Sequence, residues 1–129
     1  MQFIAKARYV GFSPYKLRPI VDVVRGKSVA YALNWLTTYK VKRIEPIKKV
    51  IESAVANAKN LQNIESSILT IKEIKIDQGP IHRYFKPGAM GRAMVQRKRL
   101  SHINVILEAK DKTTKEKVIR GTKGTSSRV

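Results

Sequence analysis

The sequence predicts an α+β domain from which a long basic arm protrudes, and three observations carry that expectation. Apolar residues recur at helical spacing between Ser13 and Gln62, and they alternate at a period of two on either side of that block. A glycine- and proline-punctuated segment from Asp77 to His102 fits neither pattern. At 129 residues the chain suffices for one domain with a modest core. Residues 1–110 read as that domain, residues 77–102 as its arm, and residues 111–129, rich in Lys, Thr, Ser and Gly, as a basic disordered tail.

Residues 2–10 alternate loosely, with Phe3, Ala5, Ala7 and Tyr9 on one side, which predicts a first strand ending at Gly11. Ser13-Pro14 then reads as a helix start. The serine oxygen caps free N–H groups, and the proline sits where its missing N–H costs nothing. Leu17, Ile20, Val21 and Val24 form the stripe of this first helix, Gly26 stops it, and Pro19 is expected to kink it. Ser28 opens a short second helix through Val29, Ala32, Leu33 and Leu36 to near Tyr39, with Trp35 read as a core residue. The third helix runs from near Arg43 to Gln62, with Pro46 in its first turn. Ile47, Val50, Ile51, Ala54, Ala58 and Leu61 share one face, and Ala54, Ala56 and Ala58 let another backbone approach.

After Ser66-Ser67 the pattern turns to β. Leu69 and Ile71 alternate in one phase and Ile74 and Ile76 in the other, so a bulge or twist near Lys72-Glu73 is expected to correct the register. The returning strand carries Ile103, Val105 and Leu107. Between Ile76 and Ile103 lie two extended stretches of about 14 residues each, which at roughly 3.3 Å per residue span on the order of 45 Å. A 100-residue domain has a radius of gyration of only about 13 Å, so this segment is expected to leave the body.

The formal net charge is +18, from 27 Lys and Arg against 9 Asp and Glu. A compact fold gains nothing from such self-repulsion, so a polyanionic partner is implied, and nucleic acid is the first candidate because phosphate neutralisation releases counterions. From Gln78 through Leu107 no acidic residue occurs, while Arg83, Lys86, Arg92, Arg97, Lys98 and Arg99 do. An arm of this kind gains its order from phosphate outside the domain. Gly88 and Gly91 allow close backbone approach or positive φ, and Pro87 stiffens the tip. Tyr84 and Phe85 have little local core, which leaves stacking on bases, filling a partner's crevice, or packing across the arm.

Other classes find little support. There is no cysteine, hence no disulfide or thiolate site, and a reducing compartment fits. No long apolar run suggests a membrane span or a leader, so a soluble, unprocessed chain without membrane contact is expected. His82 and His102 have no carboxylate cluster to complete a metal site, and no cofactor is expected. Gly88-Ala89-Met90-Gly91 spells the GxxG of an RNA-binding KH loop, but that loop joins helices, so a turn is the better reading. The dispersed acids offer neither a nuclease metal pair nor a general base, and Asp77 reads as ordering the turn before Gly79-Pro80. A DNA-bending protein whose β-arm enters the minor groove behind Pro87 is the alternative.

SPYKLRPIVDVVRGK at 13–27, ESAVANAKN at 52–60, DQGP at 77–80, KPGAMGRA at 86–93 and SHI at 101–103 together resemble the bacterial-type large-subunit ribosomal protein twenty-two family, over about residues 1–110. The resemblance implies three helices packed on a small antiparallel sheet. It also implies a β-hairpin that passes through ribosomal RNA to the wall of the nascent-polypeptide tunnel. The expected function is that of a structural, non-enzymatic constituent of the large subunit, in the bacterial cytosol or an organelle interior. Its partners would be large-subunit rRNA, neighbouring ribosomal proteins and, at the tip, the nascent polypeptide. On this pattern Lys16, Arg18, Arg25 and Lys27 join the arm's basic residues as rRNA contacts, and Pro87, Gly88, Ala89, Met90, Gly91 and Arg92 form the tunnel-facing tip. Gly88 and Met90 replace residues that the family usually has basic, so this tip is expected to be less positive and more flexible than most.

Overall fold

A computed structural model describes residues 1–110; the expected tail at 111–129 lies outside the described residues. The order is β1 (Gln2–Val10), α1 (Pro14–Val24), α2 (Val29–Thr38), α3 (Ile44–Gln62), β2 (Leu69–Pro87), a 3-10 turn (Ala89–Gly91) and β3 (Ala93–Ala109). The strands form one antiparallel sheet in the order β1-β3-β2. The expected α+β class, three helices on a small antiparallel sheet with a hairpin, is the observed one.

The core lies between the helices and one face of the sheet. Phe3 and Ala5 from β1, Ile71, Ile74 and Ile76 from β2, and Ile103, Val105 and Leu107 from β3 meet Leu17, Val21 and Val24 of α1 and Ile47, Ile51, Ala54 and Ala58 of α3. Each fully buried large aliphatic side chain contributes about 1.5–3 kcal/mol. Among the described residues the opposite face of the sheet carries no helix, and its alternate residues are open to solvent.

Local chemistry accounts for most helix ends. Pro14 occupies the first turn of α1, but the Ser13 side chain makes no cap bond. The Ser13 main-chain carbonyl instead accepts from the Lys16 N–H at 3.2 Å. The helix runs unbroken through Pro19, which lies on the exposed side and forfeits only the bond its N–H would have given to the Tyr15 carbonyl. Gly26, at φ +74°, ends the run in a conformation that disfavours other residues. Ser28 caps α2 by accepting from the Tyr31 N–H at 3.4 Å. Trp35 is half-buried against the core and stacks on Tyr39, with centroids 5.2 Å apart. In α3, Glu45 near the start and Lys59 near the end both suit the helix dipole, and Asn63 closes it in the left-handed region.

Further expectations change. Leu61 is 75 % exposed rather than core, because α3 runs past the sheet there. Asn57 bonds the Ile4 carbonyl and Gln62 reaches Met1, just before the first strand pair, Gln2 with Glu108. Tyr9 leaves the face of Phe3 and Ala5. The register shifts between Ala7 and Val10, so Arg8 and Tyr9 together oppose His102, and Tyr9 sits at φ +58°. Asp77 orders no turn. It lies within continuous β2 opposite His102 and accepts from Asn104 Nδ2 at 2.8 Å.

The two bulges of β2 set the arm. One lies between Ile71 and Glu73, at the position the phase change predicts. The other lies between Gln78 and Ile81, where Gly79 approaches so closely that a Cβ would stand 2.9 Å from the Leu100 carbonyl oxygen. Beyond it β2 and β3 pair from Ile81 with Arg99 to Pro87 with Ala93. That paired length is about 20 Å at roughly 3.3 Å per residue.

Candidate nucleic-acid interface

The arm has no core of its own, as every residue from His82 to Lys98 is exposed. Strand alternation gives it two faces. Ile81, Arg83, Phe85 and Pro87 oppose Arg99, Arg97, Val95 and Ala93 on one, and His82, Tyr84 and Lys86 oppose Lys98, Gln96 and Met94 on the other. Arg83 therefore stands directly across from Arg97. Like charges so placed destabilise an isolated hairpin, and no acidic residue between Gln78 and Leu107 offsets them. Tyr84 and Phe85, 56 % and 68 % exposed, enter no core, although Phe85 lies directly across from Val95.

At the tip the Gly88 N–H bonds the Arg92 carbonyl and the Arg92 N–H reaches the Ala89 carbonyl at 3.4 Å. Gly91 takes φ +72°, whereas Gly88 is extended and is needed for closeness, a Cβ there standing 3.0 Å from the Arg92 carbonyl oxygen. Met90 is also left-handed, at φ +57°, and fully exposed. The apex is thus Ala89–Gly91, and Pro87 lies within the last strand pair below it.

The predicted residues of α1 separate into two groups. Lys16 and Arg18 are exposed at the end nearest the arm, where the Tyr15 ring is contacted by the guanidinium of Arg18, 5.1 Å from the ring centroid, and by that of Arg99, at 5.6 Å. Arg25 and Lys27 lie at the far end. Arg25 is held by Asp22 of its own helix at 2.8 Å and by the Ile74 carbonyl at 3.0 Å, so one of its five donors ties α1 to β2. Lys27 accepts the Ile71 N–H on its own carbonyl, and its ammonium lies 5.9 Å from the Tyr31 ring centroid.

Tyr15 escapes the sequence reading, although its spacing from Arg18 on an exposed helix face is a usable signal. Its contact with Arg99 follows only from tertiary structure. Among the described residues no group of three His, Asp or Glu side chains could hold a metal, and no helix is long and apolar enough to cross a membrane.

A basic α+β body carrying a charged arm without a core is consistent with the class of ribosomal proteins, and the comparisons place the chain in that class. Two proteins called "Large ribosomal subunit protein uL22", from Desulfitobacterium hafniense strains Y51 and DSM 10664 / DCB-2, are each 47 % identical to it over 106 residues, covering 82 % of this chain and 93 % of theirs. The family described as Ribosomal protein L22p/L17e matches residues 5–108, and the chain belongs to it. It is accordingly a structural constituent of the large ribosomal subunit, not an enzyme.

Proposed function

We propose that the protein organises large-subunit rRNA, with its body docked by α1 and the arm threaded between RNA segments so that Pro87–Arg92 reaches the wall of the nascent-polypeptide tunnel. The observation that supports this most is Arg83 opposite Arg97 within the paired stretch 81–99, which holds no acidic residue, an arrangement that phosphate on either side would turn from repulsive to favourable. Lys16, Arg18, Lys86, Arg92, Lys98 and Arg99 extend the same contact, chiefly to backbone and shape rather than to base edges. Arg25 and Lys27 contribute from the far end of α1. Neighbouring ribosomal proteins and the nascent chain are the remaining partners, and the ribosome, in bacterial cytosol or organelle, is the site of action.

The DNA-bending alternative places a proline at the point of insertion, but Pro87 lies below the apex. Family membership also favours the ribosome. The chain has no cysteine, so Met90→Cys supplies a unique thiol. In large subunits carrying a nascent chain, that thiol is expected to cross-link to the polypeptide. Efficient incorporation without any such cross-link would remove the tip from the tunnel wall.

A further inference from the structure

The open face of the sheet holds a second polar site at the root of the arm. Lys6, Arg8, Tyr9, Asp77, His102 and Asn104 line a cavity of about 250 Å³. That is about eight times the roughly 30 Å³ share of one liquid water, so it has space for a planar ring system. Register explains the grouping: Lys6 opposes Asn104, Asp77 opposes His102, and the β1 bulge sets Arg8 and Tyr9 across from that same histidine.

Tyr9 marks the site as costly to build. A bulky residue at φ +58° is an outlier, and this one is 64 % exposed, its ring in a T-shaped contact with His102, centroids 5.1 Å apart at 88°. The Tyr9 N–H donates to His102 Nδ1 at 3.1 Å, which in the neutral imidazole leaves the proton on Nε2 as a donor. Asp77 takes one bond from Asn104 on Oδ2, and its Oδ1 has no partner among the described residues. It is also the one carboxylate between Glu73 and Glu108. A carboxylate repels phosphate, so on an RNA-facing surface its use is to accept from base N–H groups.

We infer that this cavity binds an unpaired guanine of single-stranded RNA, stacked on Tyr9, with Asp77 accepting from the N1–H and N2–H groups and Lys6 and Arg8 holding the flanking phosphates. Guanine offers two adjacent donors on its Watson–Crick edge beside the O6 acceptor; Asp77 Oδ1 takes one, the remaining lone pair of Oδ2 takes the other, and His102, opposite Asp77 in the register, supplies an N–H for O6. The inference rests on the rRNA-binding reading and adds a base-specific contact to it.

The test uses the full chain and short single-stranded uridine-rich RNAs that differ only in one central base, G, A, C or U, with binding read by fluorescence anisotropy. The G-containing RNA is expected to bind about tenfold more tightly than the others. Tyr9→Gly keeps the left-handed backbone without the ring, so it should fold at least as well while binding the G-containing RNA about tenfold less tightly. Asp77→Asn should erase the preference without weakening binding to the other three. Equal affinity for all four RNAs, or undiminished discrimination in Tyr9→Gly, overturns the guanine site and leaves the ribosomal reading intact. That reading fails separately if the chain does not sediment with salt-washed large subunits.

Discussion

The guanidinium of Arg99 lies over the ring of Tyr15, 5.6 Å from its centroid, and so ties the root of the arm to α1. Arg18 covers the same ring at 5.1 Å, and each such contact at an exposed site is worth about 0.5–1 kcal/mol. Tyr15→Leu is therefore expected to leave the melting temperature of the body nearly unchanged while amide exchange at Lys98–Leu100 accelerates. Tyr15→Phe should behave as wild type. Unaltered exchange in the leucine variant would show that the stack does not order the arm.

Replacing Arg97, Lys98 and Arg99 together with Gln should weaken rRNA binding without unfolding, because none belongs to the buried cluster. The slope of log affinity against log salt should become shallower by about 0.7 for each phosphate of single-stranded RNA that these side chains no longer neutralise. Circular dichroism provides the control. A loss of helical signal would assign these residues to the fold.

Deleting His82–Tyr84 removes an odd number of residues from β2 only, so the residues that follow must slip against β3 and exchange faces. Large subunits should still assemble with this variant, since the body is untouched. Their response to drugs or stalling peptides that occupy the tunnel should change. A wild-type response would place the arm elsewhere.

Gly91→Val forces a β-branched residue into φ +72°, at a cost of roughly 1–2 kcal/mol. The expected result is loss of the Gly88–Arg92 closure, seen as exchange broadening of tip amides by NMR, with unchanged melting of the body. A sharp, wild-type tip spectrum would contradict it.

Ser101 is fully buried where β1 ends against β3, and its hydroxyl has no hydrogen-bond partner among the described residues. Ser101→Ala should accordingly raise stability by on the order of 1 kcal/mol, read as a higher urea midpoint. A lower midpoint would mean that the hydroxyl is bonded in solution.

The helices and the strand phases were legible because periodicity reports directly on burial. The change between Ile71 and Ile74 even located a bulge, and the symmetry of the arm about Ile76 and Ile103 matched the observed pair. What escaped depends on neighbours distant in sequence. Leu61 keeps the helical spacing of Ala58, but nothing in that spacing says where the sheet ends. Tyr9 continues an alternating pattern, and only pairing with Ser101 and Ile103 exposes the extra residue. At the interface the basic residues were visible as charge, whereas the opposition of Arg83 to Arg97 and the Tyr15 stack require the register. Arg25 illustrates the limit most clearly, since its bonds to Asp22 and Ile74 give it a role within the fold that composition alone cannot separate from RNA contact.

The strand order β1-β3-β2 also constrains how the chain comes into being on a ribosome. β1 leaves first, yet its ladder partner is β3, and the pair Gln2 with Glu108 spans nearly the whole described length. Throughout synthesis of the helices and of β2, the backbone edge of β1 that pairs with β3 therefore lacks its ladder partner. Contacts of such long sequence separation slow folding, because loop closure precedes their reward. A nascent chain halted before residue 101 should remain protease-sensitive at its N-terminus, and release past Ala109 should close the sheet in one late step.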